Sequence, residues 1–221
     1  MPIDPKLWLL QTNDSSYPSG AYAHSFGLEE LVESGVVSKP ADLERFLERQ
    51  VLPALLTFDL PFFSRAHRAA CDQELETLVS MDVELDAWRI PFESREASRR
   101  IGSQRLELLA TLDDSALIAS FRNASPRGHH LIVSAIELSS VPLAEAARAF
   151  AYQTIAGLTA ASMKLIRIGQ TACQTILRRT LDLLGERIDA CLSAPHDGWF
   201  NPLLEIASLR HARSHARLFI S

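Results

Sequence analysis

The sequence predicts a single all-α domain, and three observations carry that expectation. Apolar residues recur at helical spacing from one end of the chain to the other, and no stretch sustains the period-2 alternation of a half-buried strand. Prolines, glycines and capping side chains fall where helices start and stop. The segment from Ala149 to Leu177 carries no charge before Lys164 and mixes Ala, Gly, Ser and Thr with Phe150, Ile155, Leu158 and Leu165. Small residues let backbones approach closely while large ones fill the gaps, so this stretch reads as a buried central helix. The expected architecture is a bundle of roughly eight to ten helices around it.

Taken in order, Asp4-Pro5 caps and opens a first helix through Leu7, Leu9 and Leu10, which the Ser15–Gly20 turn formers end. A second helix runs through Leu28, Leu31 and Val32 to Ser34-Gly35. Ser38 and Pro40 open a third, with Leu43, Phe46, Leu47 and Val51 on one face. Pro53 and Pro61 are expected to divide the next stretch into short pieces. Asp72 starts a helix ending near Pro91. Residues 93–112 are the clearest amphipathic helix, with Ala97, Ile101, Leu108 and Leu112 inward and Glu96, Arg99, Arg100, Arg105 and Glu107 mostly elsewhere. Short helices follow from Asp113 or Asp114 to Phe121 and from His130 to Leu138. Pro142 opens the central helix, which Gly169 breaks or kinks. Helical turns flank Gly185, and Asn201-Pro202 starts the last helix.

With 221 residues, 47% hydrophobic and 22% charged, the chain suits one globular core. A net charge of -5 argues against a generic nucleic-acid partner. The first residues show no secretory signal, and the central stretch is too short and polar to span a membrane, so a cytoplasmic protein is expected. Cys71, Cys173 and Cys191 are widely spaced and lack a C-x-x-C, which suits reduced structural thiols.

Catalytic signatures do not appear: there is no Walker-type phosphate loop, no H-E-x-x-H and no G-x-S-x-G. His211 and His215, four apart on the last helix, are weak candidates for a metal. His129 or His130 suits a helix cap, and His24 either a structural role or a surface contact. Ser15 to Glu29 mixes turn formers with Tyr17, Tyr22, His24 and Phe26, which fits a cap with a hydrophobic staple or a recognition loop. The terminal segment 213–221 ends Arg217-Leu218-Phe219-Ile220-Ser221, and such apolar side chains favour docking onto this chain or a partner.

Four segments in this order resemble the UreF family of urease accessory proteins. Tyr17 to Glu29 is similar to the family's P-x-G-[GA]-[FY]-x-x-S-x-G-L-E. The middle match is Asp59-Leu60-Pro61 and Arg95-Glu96 with Arg99 and Gly102. Lys164 to Gln170 is similar to K-L-[IV]-P-x-G-Q, and Pro202 to His211 with Arg217 to Ser221 is similar to the R-H-E and R-L-F-R-S endings. Arg167, Ala212 and Ile220 depart from the family's Pro, Glu and Arg.

The resemblance implies a dimeric all-helical scaffold with no catalysis of its own. It would bind a UreD/UreH-type accessory protein and the UreG GTPase, and with them load nickel into apo-urease. No cofactor would be tightly bound, and nickel would be in transit. Partner-binding residues are then expected at Tyr22, His24, Ser25, Glu29, Lys164, Gln170, Arg210, His211, Arg217, Leu218 and Phe219. Residues 213–221 would be a docking tail, and the Lys164–Gln170 turn would lie near the dimer centre. Rival readings are a metal storage or sensor protein using His211, His215 and Cys173, and a helical enzyme whose site is assembled from distant residues.

Overall fold

A computed structural model describes residues 4–18, 24–124, 127–196, 198, 201–212 and 218–220, and all the regular structure among them is helical. The first helix, α1 (Pro5–Asn13), begins where Asp4 Oδ1 accepts the Lys6 and Leu7 amides at 2.8 and 3.2 Å. Leu7 and Leu10 nonetheless face outward, and Trp8 and Thr12 are its buried residues. A left-handed turn at Gly27 (φ +88°) leads into α2 (Leu28–Glu33).

Pro53 and Pro61 do not divide the third segment. Helix α3 (Pro40–Phe46) passes through a π turn (Leu47–Val51), α4 (Leu52–Ala54) and a second π turn (Leu55–Asp59) into α5 (Leu60–Cys71) without a break. A proline ring collides with the carbonyl four residues earlier. Those carbonyls, of Arg49 and Thr57, lie in the two widened turns, where i→i+5 bonding makes room for the rings. Asn201 Nδ2 donates to the Gln50 carbonyl at 3.3 Å within the first π turn.

Next come α6 (Leu75–Trp88), α7 (Phe92–Leu112), α8 (Ala116–Ala124) and α9 (His130–Glu137). Every residue of α9 from Leu131 onward is buried, and α5 and α7 flank it. Gly102 is what lets α7 come so close. A Cβ built there would lie 1.9 Å from the Gly128 carbonyl oxygen. Neither His129 nor His130 caps α9 with its side chain. Asp82 does so from α6, accepting the Gly128 and His129 amides at 2.9 and 2.8 Å.

The small-residue stretch is two helices, α10 (Leu143–Leu165) and α11 (Gln170–Gly185). Ile166 is extended (φ -126°, ψ 158°), so the break falls ahead of Gly169. One face of α10 is buried through Ala147, Phe150, Ala151, Ile155 and Leu158, while Tyr152 and Met163 are exposed. The fully enclosed helix is therefore α9 instead. Two short elements finish the fold. They are α12 (Ile188–Cys191) and α13 (Pro202–His211), the latter capped by Asn201 Oδ1, which accepts the Leu204 amide at 3.2 Å.

Candidate interaction site at the Glu29–His211 junction

Four elements and the end of the chain converge on one buried carboxylate. The turn before α2 sits against α13, since a Cβ on Gly27 would lie 3.4 Å from Ala207 Cβ. Ser25 Oγ accepts the Glu29 amide at 3.3 Å and fixes the first turn of α2. Glu29 Oε1 then accepts the Leu218 amide at 2.7 Å. Its Oε2 accepts the Phe219 amide at 3.1 Å and His211 Nε2–H at 2.9 Å. The other ring nitrogen of His211 donates to Glu93 Oε2, from α7, at 2.8 Å.

Both partners of the imidazole are carboxylates, an arrangement that suits the doubly protonated ring. Burial alone would lower its pKa, but the hydrogen bonds and charges of Glu29 and Glu93 outweigh that and hold it above the usual 6.5. Phe219 is only 4% exposed, and Lys164 Nζ from the last turn of α10 stands 5.4 Å from its ring centre. The tail is thus strapped down by two backbone bonds, one buried ring and one cation.

This geometry places most of the residues singled out in the sequence and changes the role of two. Ser25, Glu29, Lys164, His211, Leu218 and Phe219 meet at the junction. His24 is buried near Phe26, its pKa lowered by burial and then by Arg100. Arg210 and Gln170 are exposed, the latter at the start of α11 and apart from this cluster. Tyr22, Arg217 and His215 lie outside the described residues. Phe219 is not an outward anchor, because its ring is packed into this chain. Leu218 and Ile220 on either side of it are exposed.

His211 is not a free metal ligand either, since both ring nitrogens donate to carboxylates. Cys173 is buried with its sulfur 3.9 Å from Ser162 Oγ. Among the described residues, no three His, Cys, Asp or Glu side chains converge as a metal site.

One polar centre escaped the sequence reading. Arg105 is 1% exposed and donates through Nε to Glu137 Oε2 at 3.1 Å, through a second nitrogen to the same oxygen, and to Gln153 Oε1 at 2.9 Å. Tyr17 donates to Glu137 Oε1 at 2.5 Å, and Trp8 Nε1–H to the Glu137 carbonyl at 2.8 Å. Burial first, then the Glu137 charge, pushes the Tyr17 hydroxyl far above its usual range. This network borders a cavity of about 370 Å³ whose lining includes Tyr17, His24, Asp59, Arg105, His130 and Gln153. Nothing local marks Arg105 in the sequence, because its partner lies 32 positions away.

The sequence model of the family described as UreF matches residues 37–181. A urease accessory protein UreF of Arthrobacter sp. (strain FB24) is 32% identical, with 98% of this chain and 97% of that protein aligned. The UreF of Paenarthrobacter aurescens (strain TC1) is also 32% identical, over 98% of each chain. That of Klebsiella pneumoniae (strain 342) is 30% identical over 99% of this chain and 98% of its own. A family model over most of the chain and relatives 30–32% identical along nearly its whole length agree, and the chain belongs to the UreF family of urease accessory proteins, which are not enzymes.

Proposed function

We propose that this chain is a non-catalytic scaffold that acts as a homodimer. It bridges a UreD/UreH-type accessory protein and the UreG GTPase while nickel is inserted into apo-urease. The observation that carries the reading is the apolar surface around the Glu29–His211 junction. Ile206 and Leu209, three apart on the outer face of α13, are both about half exposed. Leu218 is 74% exposed and alternates with the buried Phe219, so the strapped tail turns its neighbours outward. Phe92, at the start of α7, is exposed at the same end, where Ser94 and Ser208 hydroxyls join α7 to α13 at 3.1 Å. Apolar surface gains about 25 cal/mol per Å² when covered, so this end favours a protein partner.

On this reading the UreD/UreH-type protein covers the junction. The Lys164–Gln170 turn serves contacts at the dimer centre. Nickel is cargo in transit and no cofactor is held tightly. The work is placed in the cytoplasm, and no helix among the described residues is long and apolar enough to cross a membrane.

Co-expression with a UreD/UreH-type protein, followed by size exclusion with light scattering, tests the proposal. The unchanged chain should co-elute with its partner. Leu209→Asp, on an exposed position, should keep the helical circular dichroism and weaken the complex by at least about tenfold. Co-elution unaffected by Leu209→Asp and Leu218→Asp together would discard the junction as the interface. A full-length chain that ignores the partner would discard the scaffold reading.

A further inference from the structure

Away from the junction, the last turn of α5 brings a thiol and an imidazole together. Cys71 Sγ lies 3.6 Å from His67 Nδ1. The other ring nitrogen, Nε2, lies 3.1 Å from the Leu138 carbonyl oxygen and 3.0 Å from that of Val141. Carbonyls only accept, so the ring proton sits on Nε2 and the Nδ1 lone pair faces the sulfur. The ring is held there by burial at 3% exposure, and burial also keeps it neutral by lowering its pKa. Cys71 is exposed, so the sulfur side of the pair is reached from solvent, and its S–H has the Ser139 carbonyl oxygen at 3.3 Å as a second acceptor.

These distances suit a shared metal ion. Zinc bonds sulfur at about 2.3 Å and imidazole nitrogen at about 2.0–2.1 Å, and at a tetrahedral angle the two donors then stand about 3.6 Å apart. A ligating histidine also gives its second N–H to an acceptor that fixes the ring, and the Leu138 and Val141 carbonyls fill that role. The Asp72 carboxylate, next in the chain, adds negative charge beside the sulfur.

We propose that Cys71 and His67 form a two-donor site for a thiophilic divalent cation of the Zn²⁺ or Co²⁺ kind, with the remaining positions filled by water or by a donor from another molecule. On binding, the S–H bond breaks, a sulfur–metal bond forms, the proton goes to the buffer and nothing is oxidised. The neutral ring releases no proton. A reactive nucleophile is the weaker reading of the same pair. Burial and then Asp72 raise the thiol's pKa, so without a metal the thiolate is scarce. The inference stands apart from the scaffold role and can fail without it.

Titrating the reduced, metal-stripped full chain with Co²⁺ tests the site. Expected are a thiolate-to-cobalt charge-transfer band saturating at one ion per chain, one proton released per ion, and loss of the band when Zn²⁺ is added. Below the thiol's pKa the affinity should rise about tenfold per pH unit. Cys71→Ser, at an exposed position, should keep the helical spectrum and lose the band. Cys173→Ser and Cys191→Ser should keep it. No band in a large excess of Co²⁺, or a band that survives Cys71→Ser, would overturn the proposal.

Discussion

Arg105 is a guanidinium taken almost wholly out of water, and its surroundings return what the water gave. Glu137 supplies the countercharge, Gln153 takes a further N–H, and the Tyr17 ring lies 5.4 Å from the guanidinium carbon. Desolvating such a pair costs about as much as the attraction returns, so its worth lies in being complete. Glu137→Gln or Arg105→Met alone should therefore destabilise by about 3–5 kcal/mol in urea unfolding, because each strands the other partner. Replacing both with Met and Leu should cost clearly less than the sum of the single changes. In sequence, Arg105 reads as part of the polar side of an amphipathic helix. A polar residue on an amphipathic helix is expected to face water, and only a partner brought in by the tertiary fold makes the inward position tolerable.

Among the helices, α7 and α13 were legible, each observed within a residue or so of its expected start. Both begin beside a proline, and caps and periodicity are local signals. The π turns were not legible, because a proline in an apolar run signals a break and the widened turn that absorbs it has no residue signature. Two glycines separate local from tertiary demands. At Gly102 a methyl group would meet backbone of the loop before α9, with the nearest atom at 1.9 Å. Gly102→Ala should therefore cost on the order of 3 kcal/mol or prevent folding. Gly157, inside α10, has nothing within 4 Å of its would-be Cβ. Gly157→Ala should stabilise by about 0.5–1 kcal/mol, since only helix propensity changes there. Thermal unfolding of the two variants side by side checks both signs.

At the scale of the whole molecule, the histidines couple the fold to acidity. Burial, the largest cause for each, holds His24, His67, His129 and His130 below their ordinary pKa, the last one well below. Below about pH 6.5 the unfolded chain takes up protons that these folded rings refuse, so stability must fall as the pH drops through that region. His211 has the opposite sign. Its contribution is full below 6.5 and fades as the pH rises through its elevated folded value. Four groups outnumber one, so denaturation midpoints should decline from pH 7 to pH 5. The decline should be steeper in a His211→Asn variant, which lacks the opposing group.

The candidate junction itself was half legible. The resemblance drew attention to Glu29, His211 and Phe219 separately, but that they touch is a product of the fold. The Glu29 carboxylate accepts amides 189 and 190 positions further along the chain. Closing so long a loop is slow and comes late. During synthesis, α2 leaves the ribosome long before the residues that satisfy its carboxylate exist. A chain released short of Leu218 keeps a buried acid without those two amides, so the strap works as a seal that can close only once synthesis has passed Phe219.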